Sequence, residues 1–107
     1  PDLEWFVSEN GIGIEGEYKN RDESGQIQDD YRVDFVRDHL AWIARAIDDG
    51  ARCVGYHYWG LIDNWSWANA FKNRYGFVEV DLMENYERRP KKSAAWLREA
   101  VATHVVK

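Results

Sequence analysis

The chain has 107 residues, 45% hydrophobic and 31% charged, with a formal net charge of −5. This is the composition of a globular protein with a single small core, and no run approaches the roughly 18 apolar residues that a membrane-spanning helix needs. The basic residues form no one-sided stripe, which argues against nucleic acid as a partner, and Pro1-Asp2-Leu3-Glu4 has none of the zones of a signal peptide.

In chain order, Leu3-Glu4-Trp5-Phe6-Val7-Ser8 is apolar, rich in β-formers and closed by Asn10-Gly11. It predicts a strand ending in a turn, with Glu9 at its C-terminal end. From Gly11 to about Asp29 the chain is polar and glycine-rich, which predicts a long loop. Inside it, Gly11-Ile12-Gly13-Ile14-Glu15-Gly16 fits the dinucleotide-binding pattern G-x-G-x-x-G. That pattern requires a helix opening at the glycines. The run that follows, Glu17-Tyr18-Lys19-Asn20-Arg21, has no apolar helical face, so a nucleotide site is not expected.

Val36, Leu40, Ile43 and Ile47 then recur at helical spacing, predicting a helix from about Asp30. Asp29 or Asp30 is suited to cap its start and Gly50 to end it. Arg52 to Trp59 is aromatic and β-branched and predicts a second strand. It contains Cys53, the only cysteine, which leaves no internal disulfide and no thiol pair for zinc and fits a reducing, cytoplasmic setting. Asp63 to Tyr75 reads as a polar and aromatic loop, and Gly76 to Asp81 as a short extra strand before the basic stretch Arg88-Arg89-Pro90-Lys91-Lys92. A last helix is predicted from about Lys92 to His104, with Trp96, Leu97, Ala100, Val101 and His104 on one side. The order is α/β, two β-α units of a parallel sheet, with the chemistry expected at the strands' C-terminal ends.

Three candidate groups stand out. His39, His57 and His104 lie on different predicted elements without ligand spacing, so no metal site is expected. Asn64-Trp65-Ser66 fits a glycosylation sequon, an accident in a chain with no export signal. Trp59, Trp65 and Trp67 fall within nine residues, and such indoles serve either core packing or stacking against the apolar face of a sugar.

Ser8-Glu9-Asn10-Gly11, Asp29-Asp30-Tyr31-Arg32, the run Gly55 to Trp67, Arg74-Tyr75-Gly76-Phe77, Val80-Asp81 and Pro90-Lys91-Lys92-Ser93 to Trp96 resemble family 1 retaining β-glycosidases in residue, spacing and order. The resemblance covers essentially the whole chain. It implies the last two β-α units of a (β/α)8 TIM barrel, with residues 1–107 a single C-terminal fragment of that domain. It further implies Glu9 as catalytic nucleophile and Trp59 as the platform under the sugar. Trp67 is implied as a further substrate contact.

Where glucosidases of this family carry a glutamate for the sugar's 4- and 6-hydroxyls, the chain has Ser66. A serine hydroxyl can donate to a phosphate that a carboxylate would repel, so the resemblance implies a 6-phospho-β-glucoside as substrate. Tyr75 matches the family's phosphate-binding tyrosine; Asn73 stands where a lysine is expected, and Lys72 is the neighbouring candidate cation. No metal or organic cofactor is implied. The family's acid/base glutamate lies in an Asn-Glu-Pro motif that this sequence lacks, so the chain alone is expected to be inactive and to associate with itself or with the missing N-terminal part.

Overall fold

The computed structural model describes residues 2–107. Its elements are strand β1 (Trp5–Asn10), short strand β2 (Ile14–Glu15), a 3-10 turn (Glu17–Asn20), helix α1 (Asp30–Asp48), strand β3 (Cys53–Tyr58), short strand β4 (Asn73–Arg74), strands β5 (Val78–Asp81) and β6 (Glu87–Pro90), and helix α2 (Lys92–Thr103). β1 and β3 pair in parallel, with α1 as the connection between them. β2 pairs antiparallel with β4, and β5 with β6. Both predicted β-α units are therefore present. The basic stretch around Pro90 adds a strand the sequence did not suggest, because Arg89 lies opposite Glu79 and its guanidinium reaches Asp81 at 2.7 Å. Opposite charges across a ladder favour that pairing.

The apolar face of α1 is covered only at its start: Val36 is buried, Leu40 and Ile43 are partly covered and Ile47 is exposed. The helix ends as predicted. Gly50, at φ 101°, donates to Ile47 O at 2.9 Å, and Ala51 donates to Ala46 O at 2.9 Å, the paired bonds of a glycine-terminated helix. Asp29 precedes α1 but makes no side-chain cap to it. Its carboxylate turns instead to Ser93 at the start of α2, accepting from the backbone N–H at 2.8 Å and the hydroxyl at 2.5 Å. There it satisfies donors that have no partner within their own helix.

The radius of gyration is 15.4 Å and the extents are 49 × 31 × 18 Å. A closed domain of this length would have a radius near ~13 Å, so the chain is a flat slab. Few apolar side chains are fully enclosed, namely Ile27, Val36 and Phe77, while Glu17, Asp29, Arg32, Asp63, Lys91 and Ser93 are equally buried. Much of the interior is thus charged. Phe6 and Val54 on the parallel pair are exposed, and β1 and β3 have no third partner strand among the described residues. Among the described residues no helix is long and apolar enough to cross a membrane.

Candidate active site

Parallel pairing delivers the C-terminal ends of β1 and β3 to one rim. Asn10 stands opposite Tyr58, and the Trp59 N–H donates to Asn10 O at 2.8 Å, so Glu9 and Trp59 leave adjacent strands at one level. Glu9 is exposed. The next residue is held in place, since the Tyr56 hydroxyl donates to Asn10 Oδ1 at 2.7 Å. Burial, with Tyr58 nearby, pushes Tyr56 up to about 12, so it remains a donor at neutral pH. Trp59 is 43% exposed, and its Nε1 donates to Asn64 Oδ1 at 3.1 Å while Asn64 Nδ2 donates to Ile62 O at 3.1 Å. The Trp59–Gly60 peptide is cis. An open indole in a fixed orientation, beside a carboxylate on the neighbouring strand end, is an arrangement on which a pyranose can stack.

The glycine pattern after β1 has its explanation here. A Cβ at Gly11 would lie 2.2 Å from the Trp59 carbonyl oxygen, and one at Gly13 would lie 2.5 Å from the Tyr75 ring. The first two glycines thus allow Trp59 and Tyr75 to approach the backbone, and the third precedes a 3-10 turn, with no α-helix opening at the glycines to receive a pyrophosphate.

A second group forms around the Tyr75 hydroxyl. Ser66 and Ala70 exchange backbone N–H···O bonds, both 2.9 Å, closing a tight loop. Asn69 Nδ2 donates to the Tyr75 hydroxyl at 3.4 Å. Asn69, and with it Ser66 and Asn73, holds that hydroxyl below the usual phenol range. Lys72 does not join them; its Nζ lies 3.4 Å from Glu15 Oε1, with both side chains mostly exposed. Trp67 is 94% exposed and meets Trp65 edge-on at 5.9 Å between ring centroids. A cleft of about 920 Å³ is lined by Glu15, Arg21, Phe71 and Lys72 among others, and by neither Glu9 nor Trp59. The Glu9 carboxylate and the Trp59 indole lie outside it, at the strand ends of the parallel pair.

Behind Tyr75 lies a buried network of charges. Lys91 Nζ donates to Glu17 Oε2 at 2.6 Å and to Asp63 Oδ1 at 2.8 Å. Arg32 Nη1 donates to Glu17 at 2.6 Å and to Asp29 at 2.5 Å, and Arg32 Nε to the Tyr58 hydroxyl at 3.2 Å. Burial alone would lower the Arg32 pKa, but Glu17 outweighs it and holds the guanidinium charged. The network grips the backbone on both sides of Tyr75: Arg32 Nη2 donates to Arg74 O at 3.1 Å, and in the peptide that follows the Tyr58 hydroxyl donates to Tyr75 O at 3.0 Å while the Gly76 N–H donates to Asp63 Oδ1 at 3.0 Å. Glu17 was read in the sequence only as a member of a polar loop, and Lys91 as a member of a basic stretch and of the motif Pro90-Lys91-Lys92-Ser93, with no partner assigned to either. Asn64 entered the sequence reading only as part of a sequon and of the run Gly55 to Trp67, and Asn69 carried no signal beyond its place in the loop; their side chains bond the Trp59 indole and the Tyr75 hydroxyl.

The chain is similar in sequence and in fold to known proteins. The sequence profile described as Glycosyl hydrolase family 1 matches residues 1–106. The 6-phospho-beta-glucosidase GmuD of Bacillus subtilis is 58% identical over 102 residues, which is 95% of this chain and 22% of that enzyme. A 6-phospho-beta-galactosidase of Staphylococcus aureus is 44% identical, over 95% of this chain and 21% of that enzyme. Beta-glucosidases of Thermotoga maritima and Exiguobacterium marinum superpose with TM-scores of 0.85 at 30% and 35% identity, each covering 97% of this chain and 23% of theirs. The chain therefore spans about 22% of the length of the first of the curated relatives it matches.

Proposed function

From a chain that belongs to glycosyl hydrolase family 1 and has the fold of two β-α units of a (β/α)8 barrel, we propose that the full-length polypeptide carrying it hydrolyses 6-phospho-β-glucosides with retention. In that reaction the Glu9 carboxylate attacks the anomeric carbon while a second carboxyl about 5 Å away protonates the departing oxygen. The resulting glycosyl ester is then opened by water, which the second carboxylate deprotonates. Two carboxyl groups suffice for both steps. Trp59 supports the ring as it flattens toward the oxocarbenium-like transition state.

The observation that carries the phosphate reading is the uncharged cluster of Ser66 with Tyr75, in a chain 58% identical to a 6-phospho-beta-glucosidase. Trp67 is a further substrate contact in this reading, and Lys72 reaches a phosphate only by leaving Glu15. A charged sugar phosphate does not cross a bilayer unaided, so the reaction belongs in the cytoplasm.

The test compares an aryl β-glucoside with its 6-phosphate in the full-length polypeptide, wild type and Glu9→Ala. The wild type favours the phosphate, and Glu9→Ala loses at least about a thousandfold on both. Equal or better turnover of the unphosphorylated sugar would sink the phosphate assignment.

A second reading concerns the segment alone, which lacks the Asn-Glu-Pro glutamate. Without that acid/base group it is an inactive folding unit, and the exposed Phe6, Val54 and Trp42 are the surfaces that a second copy or the rest of the barrel would cover.

A further inference from the structure

Two buried side-chain polar atoms lack a hydrogen-bond partner among the described residues: Arg21 Nε and Asn69 Oδ1. The second lies within the cluster around Tyr75. Asn69 is held there from two sides, because its Nδ2 donates to the Tyr75 hydroxyl and its main-chain carbonyl accepts from Lys72 N–H at 2.9 Å. The Tyr75 ring in turn rests against Gly13, where a Cβ would not fit. An unpaired buried acceptor is unfavourable in the free protein. The amide nitrogen beside it carries two hydrogens, of which the Tyr75 oxygen takes one, so the second N–H and the Tyr75 proton have no other partner among the described residues. Lys72 is engaged by Glu15, so an anion placed at this cluster is met by neutral donors rather than by an ammonium.

Resting on the 6-phosphate reading of the substrate, we propose that Asn69 is a specificity-determining residue of the phosphate pocket. One of its amide N–H groups holds the Tyr75 oxygen and the other donates to a phosphate oxygen, which leaves the Tyr75 proton for the same phosphate. Asn69 thereby supplies, by hydrogen bonding, part of what the absent lysine at Asn73 would supply by charge. An aspartate in its place keeps the shape but replaces both donors with a negative charge.

The experiment measures kcat/KM of the full-length polypeptide carrying this segment on an aryl β-glucoside and its 6-phosphate, for wild type, Asn69→Asp and Asn69→Ser. Asn69→Asp is expected to lower the value for the 6-phosphate by about a hundredfold, and the smaller, uncharged Asn69→Ser by about tenfold. Both leave the unphosphorylated glycoside within about threefold, which also reports that they fold. A wild type that prefers the phosphate, with equal losses on the two substrates in both variants or no loss in either, would overturn the role of Asn69 alone. A wild type indifferent to the phosphate would overturn the substrate reading itself.

Discussion

Replacing Lys91 by methionine tests whether buried charge holds this segment together. The Lys91 side chain is fully enclosed, with its ammonium 2.6 Å from Glu17 and 2.8 Å from Asp63. Methionine keeps most of the apolar stem, so the change is confined to the charged end. Each charge-assisted hydrogen bond contributes about 1.5–3 kcal/mol, and removing one partner of a buried pair costs about 3–5 kcal/mol because the carboxylates stay behind. Arg32 still holds Glu17 and Arg74 still lies 3.3 Å from Asp63, which sets the expectation at the lower end, about 3 kcal/mol. That is a large fraction of the roughly 5–15 kcal/mol that a domain of this size has. With a urea dependence of about 1.5 kcal/mol per molar, the midpoint falls by about 2 M. Urea unfolding of the chain, followed by tryptophan emission, reads it for Lys91→Met, Glu17→Gln and the double variant. The double variant costs less than the sum of the singles by at least about 1 kcal/mol. A loss below about 1 kcal/mol in Lys91→Met, or strict additivity, would refute the reasoning.

Two further outcomes follow from the site and the slab. The Tyr75 hydroxyl, held below 10.0 chiefly by Asn69, donates to a phosphate while protonated and repels it once ionised. KM for the 6-phosphate therefore rises on the alkaline side, below pH 10, while KM for the unphosphorylated glycoside stays level and Tyr75→Phe abolishes the difference; coincident pH profiles would contradict this. The isolated chain is expected to self-associate at micromolar concentration through the open edges of β1 and β3 and the exposed Phe6 and Val54. Light scattering on wild type and Phe6→Lys reads the mass, and a wild-type monomer contradicts it.

What could be read from the sequence was local. The apolar run before Glu9, the helical spacing from Val36 to Ile47 and the glycine at position 50 each act within a few residues of themselves, and each element formed where expected. Glu9 and Trp59 were singled out by their resemblance to family 1 β-glycosidases, and local pairing explains why they lie at one level, because strand ends of a parallel pair share a rim. Lys91 and Lys92 show the opposite case. They are neighbours in one basic run, yet Lys91 is buried against Glu17, 74 residues away, while Lys92 stays on the surface with Asp30. Nothing within the run separates them, since the choice is made by a distant carboxylate. Asp29 looked like a cap for the helix beside it and caps the other one, and Lys72 is drawn to Glu15 on a strand that the sequence presented as loop.

The bond from Asp29 to Ser93 bears on how such barrels can be recombined. The start of α2 is finished by a side chain from the preceding β-α unit, so the two units are not interchangeable cassettes. A chimera joined in the turn between α1 and β3 separates a helix from the carboxylate that closes it and leaves its first amides bare. A junction placed ahead of β1 moves Asp29, Arg32 and Ser93 together, and with them a helix that starts properly in its new host.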